Sequence, residues 1–215
     1  MQALSITDFK KLMEEDAVVL DTRSTEEFTH SFVPGAISIA VSEKMEEWAN
    51  SLLSPNDPIV LITTPGTEKE INDRLAKAGF SNIKGYLDGG YATWQKNGEE
   101  EDMIINVEAD ELMMDIPFDD NLVVVDVRKP SEFADGHLKD AMNIPLADMK
   151  DPASMANIED HHNLYVHCAA GYRSVIAASL LKRQGIHNLR NILGGWNSIK
   201  EEEKAEIVKD ASGLN

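Results

Sequence analysis

Cysteine, basic residues and long apolar runs are all scarce in this chain of 215 residues. Its one cysteine, Cys168, excludes an intramolecular disulfide and favours the reducing cytoplasm over a secreted location. Lys and Arg number 20 against 38 Asp and Glu, and the net charge of −18 disfavours nucleic acid and anionic membranes as partners. No apolar run approaches the roughly 18 residues of a membrane span, and no secretory signal is recognisable.

The acidic surface also limits how an anionic ligand can be bound. Because the overall field repels anions, an anion site has to be built locally from a few arginines and backbone N–H groups. Hydrophobic residues make up 42% of the chain and charged residues 27%, which is an ordinary globular mixture. The length fits one large domain or two small domains of about 100 residues each.

An internal repeat favours two domains. The apolar segment at residues 18–23 recurs at residues 123–128, and both copies end in an Asp-x-Arg sequence. The period is too long for a solenoid unit, so each copy is interpreted as a domain. Further segments match at the same offset, namely Glu27-Phe28 with Glu132-Phe133 and Gly89-Gly90 with Gly194-Gly195.

The boundary between the copies falls in a polar, acidic and turn-prone stretch. We predict domains at residues 1–98 and 104–215, joined by an acidic linker at residues 99–103. Strand-like runs alternate with helical segments, which predicts an α/β fold with a parallel sheet and helices on both faces. The predicted central strands and the helices that follow them are Val18–Asp21, Ile59–Thr63, Glu68–Ala78, Leu122–Val127, Leu164–His167 and Ser174–Gln184.

The single cysteine lies at the end of one predicted strand. Three small residues follow Cys168, and Arg173 stands at the start of the next helix. A tight loop of this kind turns several backbone N–H groups inward, and they form an anion cradle that favours a thiolate. Arg173 adds a bidentate cation suited to an oxyanion such as thiosulfate. An isolated cysteine is more often a small buried hydrophobe, but the loop, the arginine and the helix start together favour chemistry.

These residues carry a resemblance to a known family. The loop from Cys168 to Ser174 resembles the rhodanese active-site loop in its Cys-x-x-Gly-x-Arg form, and residues 126–138 resemble the family's first signature. Two further landmarks are similar, Asn143-Ile144-Pro145 and Leu193-Gly194-Gly195-Trp196. The resemblance implies two rhodanese-like domains, each with a mainly parallel five-stranded sheet flanked by helices. It also implies transfer of sulfane sulfur through a cysteine persulfide.

The resemblance also implies roles for individual residues. Cys168 is the expected nucleophile, and no cofactor is implied. Asp126 is expected to hold its strand end, whereas Arg128 either helps to hold an anionic donor or is a surface or aspartate-paired arginine. The histidines near the cysteine lack the arrangement of a zinc site, so no metal is expected. The loop residues expected to bind substrate are Ala169, Ala170, Gly171, Tyr172, Arg173 and Ser174.

The first copy has lost the nucleophile. Thr63 stands at the position of Cys168, Pro65 removes a backbone N–H from the loop, and no arginine lies between Thr63 and the predicted helix start at Glu68. Glu68 near the helix start would repel an anion. We therefore predict that the first domain is catalytically inactive, with a scaffold or docking role.

The predicted function is a sulfurtransferase that takes sulfane sulfur from thiosulfate or a persulfide and passes it to cyanide or a thiol. One alternative is a non-catalytic module that presents persulfide to a fused or docked metallo-β-lactamase-fold domain, since tandem repeats with an inactive first copy also resemble parts of such fusions, including persulfide dioxygenases. The start of the pattern almost at residue 1 is consistent with a fragment.

A minor alternative is phosphatase or arsenate reductase activity. It is disfavoured because those relatives have five residues between Cys and Arg, and this loop has four.

Overall fold

The computed structural model describes residues 1–210 and forms two compact units, Met1–Met103 and Ile104–Asn215. Residues 211–215 of the predicted second domain lie outside the described residues. Each unit contains a five-stranded parallel sheet flanked by helices, which confirms the predicted α/β fold. Within residues 1–210, no helix has both the length and the apolar character needed to cross a membrane.

The first unit places its longest apolar runs at the centre of the sheet. Its elements are β1 (Ala3–Leu4), α1 (Ile6–Glu14), β2 (Val18–Asp21), α2 (Thr25–His30), β3 (Ile37–Ser38), α3 (Met45–Leu52), β4 (Ile59–Ile62), α4 (Glu68–Lys77), β5 (Ile83–Leu87) and α5 (Tyr91–Lys96). The strand order is β1-β5-β4-β2-β3, and every neighbouring pair is parallel. Strands β2 and β4 are buried at every position, which explains why their sequences are continuous apolar runs.

The second unit repeats this order with the strands β6-β11-β10-β7-β9, again all parallel. Its elements are β6 (Ile105–Val107), α6 (Ala109–Asp115), β7 (Leu122–Asp126), α7 (Pro130–Ala134), β8 (His137–Leu138), β9 (Met142–Asn143), β10 (Asn163–His167), α8 (Tyr172–Arg183), β11 (Leu189–Ile192), α9 (Trp196–Ile199) and β12 (Ile207–Val208). Two 3-10 turns lie between β9 and β10. Outside the main sheet, β12 pairs with β8 in antiparallel fashion.

The acidic segment at residues 99–103, predicted to be a linker, is bound to the first unit. Asp102 and Phe32 exchange two backbone hydrogen bonds of 2.9 and 3.0 Å. Trp94 donates from its ring nitrogen to the carbonyl oxygen of Glu100 at 2.8 Å, and Lys10 pairs with Glu99 at 2.6 Å. In the second unit the pairing of β12 with β8 occupies the equivalent place. The segment therefore closes the first fold, and the division between the units falls after Met103.

A buried ion pair closes the end of the central strand β7. The Asp126 carboxylate accepts hydrogen bonds of 2.6–3.0 Å from the Arg128 guanidinium and one of 2.9 Å from the Arg128 backbone N–H. Arg128 also donates to the carbonyl oxygen of Gly136 at 2.8 Å, and its guanidinium lies 4.4 Å from the centroid of the Trp196 ring. The pair thus joins the strand end to the turn before β8 and to the start of α9.

The first unit repeats this arrangement position for position. Arg23 donates to Asp21 at 2.6–3.0 Å and to the carbonyl oxygen of Ser31 at 2.9 Å. Its guanidinium lies 3.9 Å from the centroid of the Tyr91 ring. The Asp-x-Arg sequence found in the internal repeat is therefore a structural device of the fold, present in both copies.

Removal of the arginine from this pair is expected to be strongly destabilising. Arg128→Ala would leave the fully buried Asp126 carboxylate without its cation, which typically costs about 3–5 kcal/mol. The measurement is the free energy of unfolding by urea. The control is Lys139→Ala, which removes an exposed pair with Glu206 and should change stability little. Similar losses in the two variants would contradict the structural role of Arg128.

Candidate active site

Strand β10 delivers Cys168 to the carboxyl edge of the second sheet, where a short loop leads into α8. The strand is buried from Leu164 to His167, so the core fixes its direction. Gly171, directly before α8, has a left-handed backbone with φ of 106°. Its backbone N–H donates to the Cys168 sulfur at 3.2 Å. The loop therefore presents an N–H donor to the thiol, which is the arrangement expected of an anion cradle.

The thiol lies beneath the loop. Cys168 is 1% exposed, and the buried Ser174 places its Oγ 3.7 Å from the sulfur. The Ser174 hydroxyl donates to the Gly171 carbonyl oxygen at 3.0 Å and so ties the first turn of α8 to the loop. The loop residues from Ala169 to Tyr172 are half-buried or exposed. Any reactant therefore has to reach Cys168 across this loop.

Backbone hydrogen bonds from the start of α9 hold the backbone of the loop in place. The Trp196 N–H donates to the Cys168 carbonyl oxygen at 2.7 Å, and the Asn197 N–H donates to the Ala169 carbonyl oxygen at 3.1 Å. This close approach depends on Gly195, whose φ is 56° and where an added Cβ would overlap the Cys168 carbonyl oxygen. The Gly-Gly landmark of the sequence thus positions the backbone of Cys168.

Substitution of this glycine is expected to disturb the site. Gly195→Ala forces the Cys168 backbone to move, in addition to the roughly 1–3 kcal/mol of strain typical of a positive φ at a non-glycine residue. The control is Gly185→Ala, which has a φ of 87° but no atom within 4 Å of the added Cβ. Urea unfolding and the alkylation rate of Cys168 are measured for both. We expect Gly195→Ala to lose more stability and to change the alkylation rate, and equal behaviour would contradict the positioning role.

Arg173 is engaged by a carboxylate that the sequence analysis did not single out. Its two terminal nitrogens donate to the two oxygens of Glu132 at 2.7 and 2.9 Å. The Arg173 hydrogen bonds lower the pKa of Glu132 to about 2. Glu132 also accepts from the Lys129 backbone N–H at 3.1 Å and so caps α7. The match of Glu132 with Glu27 in the repeat was the available signal, but it indicated the fold and not the contact with Arg173.

Asp126 and Arg128, the two residues of the first signature that were expected to support the site, are buried in the interior of the domain. Asp126 holds the strand end, and of the alternatives for Arg128 the structure has the aspartate-paired one, in which the residue is only 3% exposed. His167, the neighbour of the nucleophile, donates from Nδ1 to the Cys168 carbonyl oxygen at 3.1 Å. Burial lowers the pKa of His167 below its ordinary value, although the Asp126 carboxylate lies 3.7 Å away. Among residues 1–210, no three His, Cys, Asp or Glu side chains are grouped so as to hold a metal ion.

In the corresponding loop of the first unit, a carboxylate of the same loop occupies the backbone N–H donor. Gly66 matches Gly171 in the repeat and has a similar φ of 95°. Its backbone N–H, however, donates at 2.9 Å to both oxygens of Glu68, the residue that matches Arg173. Thr63 is buried at the position of the nucleophile. The N–H that contacts sulfur in the second unit thus binds an internal carboxylate in the first.

We expect that a cysteine alone does not make the first loop reactive. In a Cys168→Ser background, Thr63→Cys places a thiol beside a loop whose Gly66 N–H is occupied and which has Glu68 in the place of the arginine. The resulting protein should form no persulfide with thiosulfate in intact mass spectrometry. Its control is the Cys168→Ser single variant. Persulfide formation at the wild-type rate would show that the occupied N–H donor does not prevent the chemistry.

Fold and site together define the class of protein, namely a tandem α/β protein with a cysteine in a strand-to-helix loop of its second domain. Residues 5–97 and 108–202 each match the family model of the Rhodanese-like domain, and the chain belongs to this family. The two rhodanese-like domains implied by the sequence motifs are thereby confirmed.

Individual relatives match one domain or are distant. A sulfurtransferase of Allochromatium vinosum is 28% identical over 93 residues, which are 43% of this chain and 85% of that protein. Thiosulfate sulfurtransferase GlpE of Stutzerimonas stutzeri is 28% identical over 88 residues, which are 41% of this chain and 79% of that protein. A crystal structure of thiosulfate sulfurtransferase from Pseudomonas aeruginosa has 17% identity and a TM-score of 0.42, over 98% of this chain and 44% of that chain.

Proposed function

We propose that this protein is a sulfurtransferase that moves sulfane sulfur from thiosulfate or a persulfide to a thiophilic acceptor through a persulfide on Cys168. The observation that carries the proposal is the Gly171 N–H, which points at the Cys168 sulfur from a loop that also contains Arg173. A backbone donor at this distance stabilises negative charge on sulfur. The relatives named as sulfurtransferases support the reaction class.

The first step forms the persulfide. The Cys168 thiolate attacks the outer sulfur of thiosulfate, the donor S–S bond breaks, and sulfite leaves with the bonding electron pair. With a persulfide donor the leaving group is the corresponding thiolate. The product carries its charge on the terminal sulfur of Cys168, where the loop N–H groups stabilise it.

The second step releases the sulfur. Cyanide or a thiol attacks the terminal sulfur of the persulfide, the enzyme S–S bond breaks, and Cys168 leaves as a thiolate that can react again. The Ser174 Oγ lies 3.7 Å from the Cys168 sulfur. At this position it would lie beside both the thiolate and the persulfide of Cys168. We place the reaction in the cytoplasm, where acceptor thiols are kept reduced.

The proposal predicts a specific covalent adduct. Incubation with thiosulfate should add about 32 Da, one sulfur atom, to the wild-type protein, and cyanide or dithiothreitol should remove it. Intact mass spectrometry detects both changes, and Cys168→Ser should show neither. Absence of the adduct with both thiosulfate and a persulfide donor would refute the sulfurtransferase assignment.

A turnover assay separates the enzyme from the alternative of a persulfide-presenting module. Such a module acquires the adduct but transfers sulfur only to a fused or docked metallo-β-lactamase-fold domain. Repeated formation of thiocyanate from thiosulfate and cyanide by the isolated chain supports the enzyme. A single loading of Cys168 without turnover, to cyanide or to a small thiol, would favour the module.

A further inference from the structure

The cation of the active-site loop is neutralised within the protein. Within residues 168–174, Arg173 is the only basic side chain. Both of its terminal nitrogens are bound to the Glu132 carboxylate, with side chains 17% and 34% exposed. Because the pKa of Glu132 is lowered to about 2, this carboxylate stays ionised at any pH near neutrality.

Arg128, the arginine of the first signature, does not supply the missing charge. Arg128 is bound by Asp126 and is buried behind the Trp196 ring. The loop therefore contains one ion pair with no net charge, in a protein whose total charge is −18. A thiolate on Cys168 makes the local charge negative before any donor arrives.

This charge balance discriminates between the two donor classes. Thiosulfate brings two negative charges to a thiolate, and neither Arg173 nor Arg128 is free of a carboxylate partner to offset the repulsion. A persulfide, R–S–SH, carries at most one negative charge. In that reaction Cys168 attacks the outer sulfur, the donor S–S bond breaks, R–S⁻ leaves with the electron pair, and the proton remains on the transferred sulfur.

We propose that Glu132 is a specificity-determining residue that directs the Cys168 site toward persulfide donors and against dianionic thiosulfate. The inference rests on the sulfurtransferase function proposed above and names the donor class for it. It differs from a role in which Glu132 merely positions Arg173 to bind the donor. If Glu132 determines donor specificity, removal of its negative charge accelerates reaction with thiosulfate. If Glu132 only positions Arg173, the same change slows that reaction.

Glu132→Gln is the informative variant. A glutamine retains an oxygen to accept the Lys129 N–H that caps α7, so the helix start is preserved while the charge is removed. The repeat offers a matched control in Glu27→Gln. Glu27 accepts the Ser24 N–H at the same 3.1 Å and caps α2, but the residue that matches Arg173 in its domain is Glu68.

The experiment measures the second-order rate constant of persulfide formation on Cys168 in the full chain. The donors are thiosulfate and a small alkyl persulfide whose only charge is on its sulfur. In Glu132→Gln we expect the ratio of the thiosulfate rate to the persulfide rate to rise on the order of tenfold, equivalent to about 1.4 kcal/mol. Glu27→Gln should keep the wild-type ratio. An unchanged or lower ratio in Glu132→Gln would overturn the inference.

A second variant separates charge from geometry. Glu132→Asp keeps the negative charge but shortens the side chain, so the bidentate contact with Arg173 is disturbed. Its rate ratio should remain close to that of the wild type, and a rise as large as that of Glu132→Gln would overturn the charge argument. Failure of the proposed function has a different signature, because the wild-type protein would then form no adduct with either donor.

Discussion

The Asp–Arg pair at the end of the central strand is the interaction on which the site depends. In the second domain Arg128 joins Asp126 to the ring of Trp196, and the backbone N–H of Trp196 holds the Cys168 carbonyl oxygen at 2.7 Å. A buried pair of this kind keeps its geometry because each partner would be costly to leave alone. The position of the nucleophile is therefore set by the interior of the fold, and the loop does not have to fix it.

The same device in the first domain shows that it serves the fold before it serves catalysis. Arg23 lies between Asp21 and the Tyr91 ring although Thr63 has replaced the nucleophile. The loop that follows the strand differs, because Glu68 stands in place of an arginine and occupies the Gly66 N–H. The two domains thus share the buried Asp–Arg pair but differ in the loop beside it.

Continuous burial explains which parts of the fold were predictable from sequence. Strands β2, β4, β7 and β10 are apolar runs in the sheet interior, and the pattern located each to within a residue or two. Among the remaining strands of the sheets, β1, β5, β6 and β11 are short or interrupted by charged and polar residues, so periodicity did not reveal them. The acidic segment 99–103 was predicted as a linker because its charge indicates exposure, whereas its backbone pairing with Phe32 is a tertiary feature.

The candidate site, like the fold, has parts that depend on the local sequence and parts that depend on tertiary contacts. The cysteine, the left-handed Gly171 and the helix start are consecutive in the chain, so the sequence alone predicted a loop that could hold an anion. The partner of Arg173 is 41 residues away, and no local pattern connects it to the loop. This distant contact changes the electrostatics of the loop, because an arginine held by a carboxylate orients the site without adding net charge to it. Sequence motifs therefore identify the candidate reacting atom, while the charge around it depends on a pairing made only by the folded chain.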